Sequence, residues 1–440
     1  MIPDWTHRLE RVCLGGALLA VIGVAVGFAT QNAELWRTSA ICSAVAFAVG
    51  VVAIRSLRPF QFTAWIVAAV VAAMLAPWVF RPFPSDSANY KLLLLVLIQA
   101  VMFGMGTQMS LRDFAGVARQ PWPVAVGLVC QFTIMPLVGF GLAILFDLPP
   151  ELAAGMVLIG SCSSGLSSNV MAYIARADLA LSITLTAIAT LLAPVVTPFW
   201  MWALASTFLE GTSVVVSFVG MMASIIKIVA VPIGAALIHD YLKHASPAGR
   251  RVIWGLALLG VAAPIAWHAG VWPRTANSSA LYVELLMWVL GAFSFGTLYH
   301  RATLVWESLD RWMPAVAMAG IICVTGMTTA EGREYLFAVG ATLVAAAALH
   351  NVLGFGLGYW ASRALGMDRQ AARTIAFEVG MQNGGMATGL AVAMGKLGSL
   401  GLPAAIFIAW MNVSGSLLAN FWRRRPVSPS LTDVEADETQ

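Results

Sequence analysis

Long apolar stretches separated by short polar joins occupy almost the whole chain. A helix needs roughly 20 mostly apolar residues to cross the hydrocarbon of a bilayer, because nothing in lipid satisfies an open backbone group. By that measure about fourteen membrane helices are expected, beginning near Val12, Arg37, Phe62, Lys91, Trp122, Glu151, Asp178, Val214, Arg251, Leu281, Met313, Tyr335, Arg373 and Leu400. The joins carry turn and breaker residues, as at Arg55 to Pro59, Asp147 to Pro150 and Pro403. The first stretch, Val12 to Phe28, follows Arg8 and Arg11 in the layout of a signal peptide. No convincing small-x-small site closes it, so it reads as a retained membrane helix.

Two stretches contain residues that a continuous helix disfavours. Ser161 to Asn169 reads SCSSGLSSN, and Glu378 to Met386 reads EVGMQNGGM. Glycine costs about 1 kcal/mol relative to alanine inside a helix, and Ser and Asn compete for backbone bonds, so each stretch reads as an unwound crossover. The plainer reading is that small residues let helices pack closely while Ser or Asn bonds across an interface. Glu378 weighs against it, since an ionised group at bilayer depth costs on the order of 3 kcal/mol even on the lenient insertion scale. Paired, Gly-interrupted segments in two halves of a chain point to a transporter's binding site.

Composition supports lipid as the main solvent: of 440 residues 60% are hydrophobic and 10% charged, where a soluble domain carries about a quarter charged. The net charge of +4 sits in short loops, so it speaks to orientation and gives no case for a nucleic-acid partner. One set of alternate loops and termini holds eighteen of the 25 Lys and Arg residues, including Arg55, Arg58, Arg112, Arg119, Arg250 and Arg251. The other holds six, Arg37, Arg81, Lys91, Arg274, Arg333 and Lys396, with Lys227 inside a helix. A miscounted helix would blur this asymmetry, so it supports the count and places both termini in the cytoplasm, as expected for a multi-pass protein of the plasma membrane. Snorkelling is the simplest expectation for Lys227, and pairing with a carboxylate the other. His350 is expected to bond between helices, and Trp36, Trp78, Trp122, Trp312 and Trp422 to anchor at the interface. The five cysteines, Cys13, Cys42, Cys130, Cys162 and Cys323, show no CxxC spacing and read as small core residues. The tail 426–440, with Asp433, Glu435, Asp437 and Glu438, reads as acidic and disordered. The chain has no HExxH and no obvious paired membrane aspartates, and its serines lack a neighbouring base, which argues against an intramembrane enzyme.

Both crossovers, with FGMGTQMSLRDF (Phe103 to Phe114), QFTIMP (Gln131 to Pro136), NVMAYIARADLALSITLTA (Asn169 to Ala187), LHNVLG (Leu349 to Gly354) and WMNVSGSLLANFW (Trp410 to Trp422), resemble the bile acid/sodium symporter family. The likeness runs from about Phe62 to Trp422 with a large insertion. It implies an all-α polytopic membrane protein in which ten of the helices form two inverted five-helix repeats, arranged as panel and core domains with two broken crossing helices. Guided by it, the chain divides into an N-terminal extra helix pair (1–61), the first five-helix repeat and the start of the second (62–250), an inserted helix pair (251–300), the remainder of the second repeat (301–425) and the tail. Each break then falls in the fourth helix of five, and five is odd, so the second unit starts from the opposite face. The extra pairs preserve parity; packing or dimerisation is the simplest role for them.

The resemblance implies two co-transported sodium ions. The first would be held by Ser168, Asn169, Ser182, Thr186 and Glu378, the second by Gln131, Glu378, Gln382 and the backbone oxygens of Val379 and Met381. A hard cation such as Na+ takes oxygen ligands of these kinds. Asn383 and Asn412 would face the substrate. The family usually has a Pro-Gly-Gly-Thr-like run in the first crossover, whereas here Ser163, Ser164 and Leu166 stand at its Pro, first Gly and Thr positions; the hydroxyl is missing at Leu166. Met411 stands where some relatives place a His. The function implied is sodium-coupled symport of an organic anion by alternating access, with bile-acid-like, pantoate-like and 2-oxo acids all fitting. The alternative of the same fold is a proton-coupled carrier or exporter. A receptor or channel would instead bind saturably without uphill accumulation.

Overall fold

A chain whose solvent is lipid closes its backbone bonds within helices, and among the described residues no strand occurs beyond one isolated bridge. The computed structural model describes residues 4–54, 57–85, 87–212, 214–269, 279–425 and 427. Arg55, Arg274 and the acidic residues of the tail lie outside the described residues.

The membrane helices are α1 (Asp4–Ala29), α2 (Ala33–Gly50), α3 (Gln61–Leu75), α4 (Ala88–Gly106) and α5 (Pro121–Leu145). Next come the half-helices α6 (Pro150–Ser161) and α7 (Leu166–Ile174), then α8 (Leu179–Leu209) and α9 (Phe218–His244). They are followed by α10 (Pro247–His268), α11 (Ser279–Val305), α12 (Leu309–Glu331) and α13 (Arg333–Ala364). The half-helices α14 (Arg369–Gly380) and α15 (Gly384–Ala393) precede α16 (Leu402–Arg423). Twelve of these helices are long and apolar enough to cross a membrane. The two remaining crossings are each made of two half-helices, α6 with α7 and α14 with α15, which completes the fourteen.

Helices α3, α4, α9 and α12 pack together as the panel, while α5 to α8 and α13 to α16 form the core. The pair α1–α2 packs on α3, and α10–α11 packs on α9, so both pairs lie against the panel. Phe103 of α4 meets Phe295 and Tyr299 of α11 edge-on, with ring centroids 4.9 and 4.7 Å apart. Helix α9 widens to a π turn over Ile226–Ala230. Pro232, with no N–H to give the carbonyl four residues back, accounts for it.

Two expectations need correction. Lys227 does not simply snorkel: its Nζ stands 2.6 Å from Glu284 Oε1, on the inserted α11. Only Cys130 and Cys162 are buried; Cys42 and Cys323 are exposed, on surfaces where lipid is the neighbour and a thiol is apolar enough. His350 donates between helices, its Nε2 lying 2.9 Å from the carbonyl of Met135. Trp78, Trp122 and Trp312 are exposed, while Trp422 packs on Phe377 and under the guanidinium of Arg373.

Candidate functional site

Each of the half-helices α6 and α14 has 12 residues, about 18 Å at 1.5 Å per residue, so the chain unwinds near the middle of a hydrocarbon layer about 30 Å thick. The unwound segments are shorter than the polar stretches suggested, 162–165 and 381–383; Ser168 and Asn169 already lie in the first turn of α7, and Glu378 in the last turn of α14. The two crossovers pair antiparallel, as an inverted repeat requires. Gly165 N donates to Met381 O at 3.1 Å and Asn383 N to Ser163 O at 2.7 Å, with Ser164 opposite Gln382. A Cβ on Gly165 would sit 3.2 Å from the carbonyl oxygen of Gln382, so the approach favours glycine there.

Side chains from neighbouring helices satisfy the carbonyls freed by the breaks. Thr197 Oγ1 donates to Ser161 O (2.7 Å), Gln131 Nε2 to Cys162 O (3.0 Å), and Asn351 Nδ2 to Gly380 O (2.7 Å). Asn351 is held in turn by Ser414 Oγ at 2.5 Å. The breaks are therefore built features, their backbone either buried in protein or lining a cavity.

Glu378, 1% exposed, sits in a ring of hydroxyls. Ser182 Oγ lies 2.6 Å from its Oε1; Ser164 Oγ and Thr186 Oγ1 lie 2.5 and 2.9 Å from its Oε2. Asn169 Oδ1 stands 2.8 Å from Ser182 Oγ and 3.2 Å from Thr186 Oγ1. Ser168, also buried, donates to the carbonyl of Gly165 at 2.7 Å. Each hydroxyl has one proton, yet Ser182 and Thr186 each face both a carboxylate oxygen and the amide oxygen of Asn169. Oxygens thus outnumber the protons that could bridge them. Among the described residues no Lys, Arg or His pairs with Glu378. The carboxylate also lies at the carbonyl end of α14, where the helix dipole is negative. Such a cage fits a hard monovalent cation.

Beside it, Gln131 and Gln382 form a second oxygen-rich group. Gln131 Nε2 donates to Gln382 Oε1 at 3.0 Å, and Gln382 Nε2 to Val379 O at 2.6 Å. Gln131 is 2% exposed and its Oε1 has no hydrogen-bond partner, a buried acceptor that a cation would satisfy. The carbonyl of Met381 is taken by Gly165 N. The structure thus brings Gln131, Gln382 and Val379 together and gathers Ser168, Asn169, Ser182, Thr186 and Glu378 alongside.

Between panel and core lies a cavity of about 240 Å3 whose walls include Leu166, Asn383 and Asn412. Gly165, Leu166 and Ser167 bring the N-terminus of α7 to it, and Asn383, Gly384 and Gly385 that of α15. Asn383 caps α15 by accepting from Met386 N at 3.0 Å, while its Nδ2 is buried without a partner. Among the described residues no Lys, Arg or His lines the cavity. The crossing sorts the half-helix ends, with carbonyl termini beside the oxygen cage and N–H termini at the cavity. Sequence reasoning gave no site role to Gln108 and Ser167 on the cavity wall, or to Ser164 and Asn351. All four lie within the motif text, so the signal was present, but only the fold separates them from their polar neighbours.

Comparison with known proteins agrees with this geometry. Residues 93–268 match the model of the Sodium Bile acid symporter family. The uncharacterized sodium-dependent transporter YocS of Bacillus subtilis is 33% identical over 344 residues, covering 78% of this chain and 87% of that protein. The probable chloroplastic sodium/metabolite cotransporter BASS1 of Arabidopsis thaliana is 28% identical over 333 residues, 75% of this chain and 66% of its own length. The human ileal sodium/bile acid cotransporter is 27% identical over 290 residues, 66% of each chain. With YocS matched over most of both lengths, the chain belongs to the Sodium Bile acid symporter family, whose members are membrane transporters and not enzymes.

Proposed function

We propose that the protein couples the entry of a small organic anion to two sodium ions by alternating access, in a plasma membrane with both termini in the cytoplasm. The observation that carries this reading is Glu378: a buried carboxylate at mid-membrane depth, surrounded by hydroxyls and without a cationic side chain. One ion would bind among Ser168, Asn169, Ser182, Thr186 and Glu378, the other among Gln131, Gln382, Glu378 and the carbonyls of Val379 and Met381. Two Na+ on one carboxylate leave a single positive charge. That charge, the N-termini of α7 and α15 and the free Nδ2 of Asn383 favour an anion in a cavity lined by no basic side chain among the described residues. By linkage the anion then raises sodium affinity by the same factor.

The cavity of about 240 Å3 lies at the small end of ligand sites and opens to one side, so bile-acid-like, pantoate-like and 2-oxo acids are all to be tried. Uptake of a labelled bile acid, pantoate and pyruvate into proteoliposomes tests the reading, with Na+ replaced by K+ at fixed pH and pH varied at fixed Na+. Uphill uptake that disappears in K+ supports sodium coupling; uptake that follows pH and ignores the replacement transfers Glu378 to a proton-coupled carrier.

A further inference from the structure

Ser164 stands where the family pattern of the first crossover has glycine, and its hydroxyl makes the closest approach to the Glu378 carboxylate, 2.5 Å from Oε2. Three features separate it from the other hydroxyls of the cage. Ser182 and Thr186 have Asn169 Oδ1 as a rival acceptor, and Ser168 has the carbonyl of Gly165. Ser164 has a second acceptor too, Thr186 Oγ1, but at 3.2 Å it is longer and weaker than the carboxylate oxygen at 2.5 Å. Ser164 is 1% exposed, and its main chain is fixed opposite Gln382, a residue of the second oxygen group. A rigid backbone and a committed hydroxyl make an oxygen whose position is set before any ion arrives.

The geometry points to Ser164 as a further cation ligand, one that selects sodium over a smaller ion. This rests on the sodium-coupled reading above and adds an oxygen to it. Without an ion, Ser164 gives its proton to Glu378; with one, the hydroxyl turns and offers a lone pair while the carboxylate binds the ion directly. No covalent bond changes. Oxygen number and rigidity decide which ion a cage prefers, and a cage with one more neutral oxygen favours Na+ over Li+, which needs fewer ligands.

The test needs no substrate. Purified full-length protein is titrated with NaCl and with LiCl at constant ionic strength against choline chloride, and the ion-dependent rise in melting temperature is fitted for half-saturation. Ser164→Ala removes only the Oγ. It is expected to raise the sodium half-saturation about tenfold, the scale of one hydrogen-bonding group at a charged site, and to increase the lithium-to-sodium affinity ratio severalfold. A group that only supports packing would weaken both ions alike. Ser164→Cys nearly keeps the volume but presents a sulfur, a poor ligand for a hard cation, and decides the matter if the alanine variant does not fold. Wild-type sodium half-saturation and an unchanged ion ratio in either folded variant overturn the assignment of Ser164. Glu378→Gln separates the two levels: if that variant keeps the full sodium response, the underlying reading fails, whatever Ser164 does.

Discussion

Replacing Glu378 by Gln removes one charge and almost no volume. In the cage the new amide nitrogen would donate to a hydroxyl oxygen that now donates to the carboxylate, and Ser164, Ser182 and Thr186 rotate to suit. No buried group is left without a partner, so the variant should fold. Its effect on ions is large. A unit charge acting on a cation about 4 Å away contributes on the order of 4 kcal/mol at an effective dielectric constant of about 20, close to a thousandfold in affinity. Screening by water does not reduce this, since Glu378 is 1% exposed. Two readings in a thermal-shift titration therefore move in opposite directions. The melting temperature in choline chloride is expected to rise, because a buried charge without a counter-charge has been removed. The rise on adding NaCl is expected to vanish up to molar concentrations. A variant that melts no higher without sodium yet retains a sodium-dependent shift would refute the reasoning, since it would place the ion away from the carboxylate.

Further outcomes follow from single contacts. Gly384→Ala places a Cβ 2.1 Å from Ile408 Cγ1, at the cavity end of α15, and should abolish uptake while leaving membrane insertion intact, read by surface expression beside transport. Asn351→Leu strands the carbonyl of Gly380, while Ser414 keeps the carbonyl of Trp410 as an acceptor, and at about 1–3 kcal/mol for one buried orphan should lower the melting temperature and raise the sodium half-saturation together. Lys227→Met and Glu284→Gln should each destabilise and the double variant recover. With Glu284 47% exposed the coupling is expected on the order of 1–2 kcal/mol, below the ~3–5 kcal/mol of a fully buried pair, and a denaturant double-mutant cycle measures it.

The fourteen crossings and the two breaks were legible because lipid imposes them: a span must be long and apolar, and Gly, Ser and Asn in its middle have few other uses. Glu378 was legible for the same reason, as a charge that apolar surroundings must offset. The facing of apolar residues was not. In water a helix shows its core side by alternating with polar residues, but in lipid both faces are apolar, so nothing in the text told buried Cys162 from exposed Cys323. Partners separated by long stretches were equally hidden. Lys227 meets Glu284 across 57 positions, and Ser164 meets Glu378 across 214. Among five serines in nine residues, only the crossover's geometry selects Ser164 for the closest contact with the carboxylate.

Alternating access requires the core to slide on the panel, and the charge distribution is consistent with that. Arg81–Glu331, Lys227–Glu284, His239–Asp310 and Lys243–Asp310 join the panel to itself or to its added pair, and Lys396–Glu151 joins two parts of the core. None of these five pairs crosses the boundary. At the crossover the two bodies meet through apolar atoms: a Cβ built on Gly385 of α15 would lie 3.4 Å from Val101 Cγ1 of α4. A cysteine sulfur at position 101 would stand where that methyl is, within reach of a second cysteine at 385. Oxidising Val101→Cys/Gly385→Cys should therefore arrest uptake, reductant should restore it, and either single variant should be indifferent to oxidant. The oxygen cage lies wholly within the core, so the sodium-dependent thermal shift should survive the cross-link. Uptake that continues when the two bodies are quantitatively joined would show that they do not move past each other here, and the alternating-access reading would have to be given up.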